Sequence, residues 1–159
     1  MASLRRVLGP ATALLVLAAT PALAQAPSPA ELPWNAPPRA VQARLARLGF
    51  RPAGEAAARA DSLVVFVAER AGVRSELRAR FRDGRLWHVF YSAEGDSAAV
   101  QRELDRTAAG LAARHGQPDA SVNGGREWVL PSGRRFALPS APLRLENGRF
   151  GYGAAYHRG

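Results

Sequence analysis

Residues 73–92 read VRSELRARFRDGRLWHVFYS, and this stretch decides the fold. Apolar and polar residues alternate on either side of Asp83 and Gly84, which is the pattern of two antiparallel strands joined by a tight turn. An Asp-Gly pair favours a two-residue type I′ turn, because both central residues of that turn adopt positive φ angles. The sequence therefore predicts a β-hairpin whose register is fixed by the pairing of Arg82 with Arg85.

Counting outward from the turn assigns the hairpin residues to two faces of a sheet. The face predicted to be the core pairs Leu77 with Phe90 and includes His88. The opposite face carries a row of arginines beside two aromatic side chains, and these residue types are enriched in binding hot spots. We therefore predict a partner-binding surface made of Arg78, Arg80, Arg82, Arg85, Trp87 and Tyr91.

That surface also has an interpretation that needs no partner. A cation–π contact between Arg80 and Trp87 would be a sufficient structural reason for this pair of residues. A partly apolar, basic sheet face must still be covered by something, and a terminal hairpin of the same chain, a second copy and a ligand are the three interpretations.

The first 24 residues have the organisation of a signal peptide. Arg5 and Arg6 precede an apolar run from Val7 to Ala19, and an Ala-x-Ala pattern ends at Ala24. The run is shorter than the ~20 residues that span a bilayer. We expect export by the general secretory route rather than the twin-arginine route, and cleavage near Ala24. The mature chain would then have no transmembrane segment and would lie in the periplasm or outside the cell.

The composition is strongly basic and free of cysteine. The formal charge is +9, all 22 basic residues are arginine, and removal of Arg5 and Arg6 with the leader would leave +7. A GC-rich coding sequence explains much of this composition, so the charge indicates only a basic surface near anionic envelope material. Nucleic acid is not expected as the partner of an exported chain. The absence of cysteine excludes disulfides and a lipid-modified cysteine.

After the leader, a linker and one domain are predicted. Residues 25–38, QAPSPAELPWNAPP, are typical of an extended, proline-rich linker. Trp34 is predicted to dock on the domain, and the alternative is a hook for a partner. Residues 39–159 form the single domain. Within it, residues 56–62 leave helix, loop and strand open.

Two helices are predicted from apolar residues at helical spacing. The first places Val41 and Leu45 on one face. The second is capped by Asp96 or Ser97 and stops at Gly116, since a glycine commonly follows the last helical turn.

Further strands complete the predicted domain. Residues 62–70 form a strand that joins the central hairpin in a three-strand meander. A second hairpin turns at residues 131–133, and a third turns at Asn147-Gly148, a type I′ signal that pairs Leu145 with Phe150. The predicted fold class is α+β: two helices packed on one face of an antiparallel sheet, with the order α-βββ-α-ββ-ββ.

The sequence contains no recognisable catalytic or metal-binding constellation. His88, His115 and His157 share no ligand spacing, so we predict no metal site and no cofactor. No nucleophile motif of the known hydrolase families occurs. A pair of distant carboxylates, as in glycosidases, stays open because such residues need not be close in sequence. We predict no catalytic residue.

The second helix, Gly116-x-Pro118, a strand containing Trp128, a tight turn and another strand follow each other between Val100 and Leu138. This succession resembles the helix-then-strands units of small exported binding modules such as the β-lactamase-inhibitor proteins and the small outer-membrane assembly lipoproteins. The resemblance implies a binding role and assigns no site residue.

The leading interpretation is a periplasmic, non-catalytic binding module. It would engage an envelope protein or an anionic envelope surface through the arginine-rich sheet face. The alternatives are a small hydrolase that acts on envelope material, and a homodimer in which the sheet face is only an assembly surface.

Overall fold

The computed structural model describes residues 32–54, 62–120, 124–129, 133 and 135–157. The predicted signal peptide, residues 25–31 of the predicted linker and the ambiguous residues 56–61 lie outside these ranges. The described residues form an α+β fold built on an antiparallel sheet, which confirms the α+β class and the antiparallel sheet of the prediction.

Two helices and nine strands occur in the described ranges. Helix α1 is Pro38–Arg47 and helix α2 is Ser97–His115. Two short strands, Arg51–Pro52 and Asp119–Ala120, were not predicted from the sequence. The strands are β1 (Arg51–Pro52), β2 (Leu63–Arg70), β3 (Val73–Arg82), β4 (Arg85–Gly95), β5 (Asp119–Ala120), β6 (Arg126–Val129), β7 (Arg135–Leu138), β8 (Leu143–Arg144) and β9 (Phe150–His157).

The sheet is joined in its middle by β9. The strand order is β1-β2-β3-β4-β9-β7-β6-β5, and β8 pairs with the part of β9 that β7 leaves free. The predicted meander is therefore β2, β3 and β4, and the predicted hairpin of β6 and β7 is also present. β9 brings these two groups of strands into one sheet, because it pairs with both β4 and β7.

The hydrophobic core lies against one side of this sheet. Alternate residues of the strands, such as Leu77, Val89 and Tyr156, belong to the same buried cluster as Val41 of α1 and Leu104 of α2. Burying each large apolar side chain contributes about 1.5–3 kcal/mol, whereas a helix as short as α1 is marginal on its own. Packing against the sheet is therefore what holds α1.

The ends of both helices follow from their sequences. The carboxylate of Asp96 accepts a hydrogen bond from the backbone N–H of Ala99 at 2.8 Å, so Asp96 is the N-cap of α2. Gly116 follows α2 with a φ of 83°, as a C-terminal glycine does. Pro38 occupies the first turn of α1, where a missing N–H costs nothing.

The central hairpin contains a β-bulge that the sequence did not predict. The turn agrees with the prediction, since Asp83 and Gly84 have φ angles of 50° and 68° and Arg82 pairs with Arg85. Beyond Phe81 the register shifts, and Arg80 pairs with His88 instead of Trp87. Trp87 is thus an extra residue on β4.

The bulge exchanges the two faces of β4 beyond Trp87. The predicted pairing of Leu77 with Phe90 is wrong, because Leu77 pairs with Tyr91. Tyr91 lies in the core, and His88 and Phe90 lie on the opposite face. One inserted residue has this effect because side chains alternate with a period of two along a strand.

The hairpin between β8 and β9 also differs from its prediction. Asn147 does not adopt a positive φ, and Gly148 does, at 78°. The backbone N–H of Gly148 bonds to the carbonyl of Leu145 at 2.9 Å, and the N–H of Leu145 bonds to the carbonyl of Arg149 at 2.7 Å. The turn is therefore a longer loop with glycine in the left-handed position, and not the predicted two-residue type I′ turn.

The described part of the linker packs on the domain. Leu32 is buried in the core cluster, and the partly buried ring of Trp34 packs against it, which confirms the predicted docking of Trp34. Backbone hydrogen bonds join Asn35 and Ala36 to Leu86 at the start of β4. These contacts hold residues 32–36 beside the central hairpin.

Candidate functional site

We call the side of the sheet opposite the core cluster the open face. Its middle is a row of residues that are paired across five strands. The row combines one arginine with apolar and small side chains: Val65, Arg78, Phe90, Ala155 and Ala137. The next row on β2, β3 and β4 is Leu63, Arg80 and His88. Cationic and apolar side chains therefore alternate across this face.

The arginines of the open face have different partners. The guanidinium of Arg78 bonds to the carboxylate of Glu76 at 2.6 Å. The guanidinium of Arg82 lies 4.2 Å from the ring centroid of Trp87, as in a cation–π contact. The bulge explains why Arg82 makes the contact that was predicted for Arg80.

Arg80 is the arginine that these contacts leave available. It lies in the interior of β3 with its side chain exposed, and no carboxylate in the described part of the chain forms an ion pair with it. Its cross-strand neighbours are Leu63 and His88. A cation in this position offers its full hydrogen-bonding capacity to an external group.

Two hollows flank Arg80 on the open face. We call the first the Phe90 hollow, and its lining is Leu63, Arg78, Arg80, His88 and Phe90. We call the second the Trp87 hollow, and its lining is Ser62, Leu63, Arg80, Phe81, Arg82 and Trp87. Arg80 and Leu63 belong to both, so they form the ridge between them.

Phe90 is fixed in place by a glycine on the neighbouring strand. A Cβ atom added to Gly153 would lie only 2.8 Å from Cζ of the Phe90 ring, so the ring lies directly over the backbone of β9. Glycine in a strand often marks such a close approach. The partly exposed ring therefore forms a firm wall of its hollow.

The exposed apolar side chains share the open face. Among the described residues, three large hydrophobic side chains are exposed, namely Leu63 (52%), Val129 (46%) and Leu143 (68%). Their partners in the sheet are Arg80, Arg135 and Gly151, which places all three on the open face. All three therefore add apolar area to the face that carries the arginines of β3.

The structure brings together four of the six residues predicted for the binding surface. Arg78 and Arg80 line the Phe90 hollow. Arg80 also lines the Trp87 hollow, together with Arg82 and Trp87. Arg85 lies apart from both, because its guanidinium donates a hydrogen bond to the backbone carbonyl of Asn35 at 2.9 Å.

The placement of Tyr91 on the binding surface is wrong. Its ring is buried, and its hydroxyl shares a hydrogen bond of 2.9 Å with the hydroxyl of Ser75. Burial raises the pKa of Tyr91 well above its usual range, and the nearby Tyr152 and Glu103 raise this pKa further. Tyr91 is therefore a neutral core residue. Phe90 takes its place on the open face, and no local sequence signal distinguishes these two adjacent aromatics.

A second polar group of residues is buried beneath α2. The carboxylate of Glu103 accepts a hydrogen bond from Arg106 at 2.7 Å, and the hydroxyls of Thr107 and Tyr152 are 3.2 Å apart. Burial raises the pKa of Glu103, and the nearby charge of Arg106 opposes that rise. Sequence reasoning missed this group, because Glu103 and Thr107 look like ordinary residues of an amphipathic helix.

The described residues contain neither a metal-binding cluster nor a membrane-spanning helix. No cluster of three or more histidine, aspartate or glutamate side chains within those ranges is placed to hold a metal ion. None of the helices within those ranges combines the length and the apolar character that crossing a membrane requires.

Comparison with known proteins gives no family for this chain. No protein-family model, no curated protein and no solved structure matches it. Its function is therefore argued from the chemistry of the open face alone.

Proposed function

We propose that this chain is an exported, non-catalytic binding module whose open face engages an anionic component of the cell envelope. The signal-peptide pattern of residues 1–24 supports export. Arg78 and Arg80 supply positive charge in the middle of the face, and Leu63 and Phe90 supply apolar area beside them. The partner is thus an anion that carries apolar groups.

One observation carries this proposal. The three large apolar side chains exposed among the described residues lie on the same face as the arginine row of β3. Exposed leucines such as Leu63 and Leu143 do not make a protein more soluble, so solubility alone does not explain the composition of this face. A face that binds an amphiphilic surface uses both kinds of side chain, since apolar burial and attraction to anionic lipids add together.

A homodimer is the competing interpretation of the same face. A second copy would bury Leu63 and Leu143, yet it would bring another row of arginines to the interface. Like charges that face each other across an interface are costly unless acids lie between them. Glu76, Glu94 and Glu127 are acids of the open face, and each already pairs with an arginine of its own chain. An anionic partner fits the charge better.

The experiment measures binding of the purified protein to lipid vesicles across a salt series. Vesicles that contain phosphatidylglycerol are compared with vesicles of phosphatidylcholine alone, by co-sedimentation. We expect binding only to the anionic vesicles, with an affinity that falls as salt rises, because exposed charges are screened.

Two double variants locate the binding surface. The Arg78→Gln/Arg80→Gln variant removes two arginines of the open face. Because each basic residue near an anionic surface contributes about 1 kcal/mol, the affinity should fall by roughly 30-fold. The Arg39→Gln/Arg102→Gln control makes the same change in charge at exposed positions on α1 and α2 and should bind as the wild type does.

Three results would contradict the proposal. The wild type could fail to bind anionic vesicles, or the two double variants could lose affinity equally, in which case net charge alone drives binding. Analytical ultracentrifugation of the same samples gives the third: a dimer that Leu63→Ser and Leu143→Ser both dissociate would make the open face an assembly surface.

A further inference from the structure

The two hollows differ in how much of their chemistry is already used within the chain. In the Trp87 hollow, the guanidinium of Arg82 lies over the indole of Trp87, 4.2 Å from the ring centroid. The lining of the Phe90 hollow includes two arginines, Arg78 and Arg80. Of these two arginines, Arg78 already bonds to Glu76, and Arg80 has no ion-pair partner among the described residues.

The walls of the Phe90 hollow are apolar on two sides. Leu63 is 52% exposed at the edge of the hollow, and the ring of Phe90 is held over Gly153. Water that is displaced from such walls leaves a region of lower effective dielectric, in which a charge-assisted hydrogen bond is stronger than in bulk water. A hydrated inorganic anion would gain nothing from Leu63 and Phe90, whereas an anion on an alkyl chain would bury both.

We propose that the Phe90 hollow is a subsite for the phosphate group of an anionic lipid. The phosphate oxygens accept hydrogen bonds from Arg80, and the guanidinium of Arg78 completes the positive end of the hollow. The first carbons of the alkyl chain lie along Leu63 and the Phe90 ring. This inference rests on the proposed function, because it names the group that the open face recognises.

Recognition of a single lipid differs measurably from attraction to a charged surface. The probe is n-octyl phosphate, used below the concentration at which it aggregates. Inorganic phosphate supplies the anion alone, and n-octyl glucoside supplies the chain without the charge. Binding is followed in ¹H–¹⁵N correlation spectra through the backbone amides of Leu63, His88 and Phe90 and the side-chain Nε–H of Arg80.

The expected result is saturable binding of n-octyl phosphate with the largest shifts at those four groups. Arg80→Gln should weaken this binding by about tenfold or more, because it removes a charged hydrogen-bond donor. Leu63→Ser should weaken it by about threefold through lost apolar contact. Arg102→Gln is the matched control, because it removes an exposed arginine of α2 that lies outside the hollow, and it should change the affinity by less than twofold.

Other results would overturn the inference. Inorganic phosphate could bind as tightly as n-octyl phosphate, Arg80→Gln could bind like the wild type, or Arg102→Gln could weaken binding as much as Arg80→Gln. Salt-sensitive binding to anionic vesicles without saturable binding of n-octyl phosphate would refute the subsite and keep the proposed function. If neither probe binds, both proposals fail. Circular dichroism checks that each variant is folded.

Discussion

Glu103 shows what a single residue contributes to the core of this protein. Its carboxylate is 6% exposed beneath α2 and is satisfied by the guanidinium of Arg106. Burial disfavours the charged form and raises the pKa of Glu103, while Arg106 and a hydrogen bond with Tyr91 lower it. The charge of Arg70 also lowers this pKa, and the net rise means that burial outweighs all three stabilising interactions. Glu103 therefore costs stability when it ionises in the folded protein.

The first prediction follows from the sign of that shift. Between the ordinary glutamate pKa of about 4.3 and the raised pKa of the folded state, the folded protein binds more protons than the unfolded chain. The stability that protonated Glu103 contributes is present below the ordinary pKa and is lost as the pH rises through the raised pKa. Glu103→Gln cannot ionise, so it should gain stability relative to the wild type as the pH rises from 4 to 7.

Urea denaturation at several pH values between 4 and 7 measures this difference. The free energy of unfolding of Glu103→Gln minus that of the wild type should increase with pH. A difference that stays constant, or that decreases over this range, would show that Glu103 does not titrate with a raised pKa in the folded protein.

At the scale of elements, the turn between β2 and β3 carries backbone strain. Ala71 and Gly72 both have positive φ angles, 46° and 80°, as a type I′ turn requires. Glycine adopts this conformation freely, but alanine is disfavoured there because its Cβ approaches the following carbonyl. The turn thus uses an unfavourable residue at its first central position.

The second prediction is that Ala71→Asn stabilises the protein. Asparagine tolerates the left-handed region better than alanine, so the free energy of unfolding should rise by about 0.5–1 kcal/mol. Ala137→Asn is the matched control, because Ala137 is exposed on β7 and lacks a positive φ. That control should be neutral or destabilising, since asparagine is disfavoured in strands. Urea denaturation compares them; equal effects would refute the role of the turn.

Most helices and strands were predictable from the sequence. The binding surface was predicted less well, because the extra residue at the bulge of β4 changes which side chains lie on the open face. Asp83-Gly84 determined the central turn, and Asp96 and Gly116 determined the ends of α2. The turn did not predict which residues of β4 face the core beyond the bulge, because Trp87 and His88 are both compatible with either face of the sheet. Tertiary packing selects the bulge, since it buries Val89 and Tyr91 together.

The bulge therefore decided which predicted site residues were right. β3 precedes the turn and contains no extra residue, so Arg78, Arg80 and Arg82 lie on the predicted face. On β4 only the residues before the bulge lie on the face that was predicted for them. Tyr91 lies in the core, although it was predicted to lie on the binding surface. Phe90, which forms a wall of the proposed lipid subsite, was accordingly predicted to be buried.

At the scale of the whole molecule, one buried cluster connects all the larger elements. It contains residues of both helices and of the strands on either side of β9. No packed group of residues in the described ranges is independent of that cluster and large enough to fold alone. We therefore expect the domain to unfold as one cooperative unit.

The third prediction tests this cooperativity. Trp87 reports on the central hairpin, Trp128 on the strands beyond β9, and far-ultraviolet circular dichroism on the whole. Variants in which Trp34 and one of these two tryptophans are replaced by phenylalanine should give urea transitions with the same midpoint as the circular dichroism signal. Separate midpoints for the two halves of the sheet would show that β9 joins two independent units.

The position of β9 has a consequence for how the chain acquires its structure during synthesis. A chain that emerges from its N-terminus presents β2, β3 and β4 first, and β4 then has an unpaired edge until residues 150–157 appear. Pairing across so large a separation in sequence is slow, because the intervening loop must close first. Tight packing is thus postponed until about sixty further residues have followed β4. A delay of this kind would suit the export proposed above, because an exported polypeptide must remain unfolded while it passes through a translocation channel.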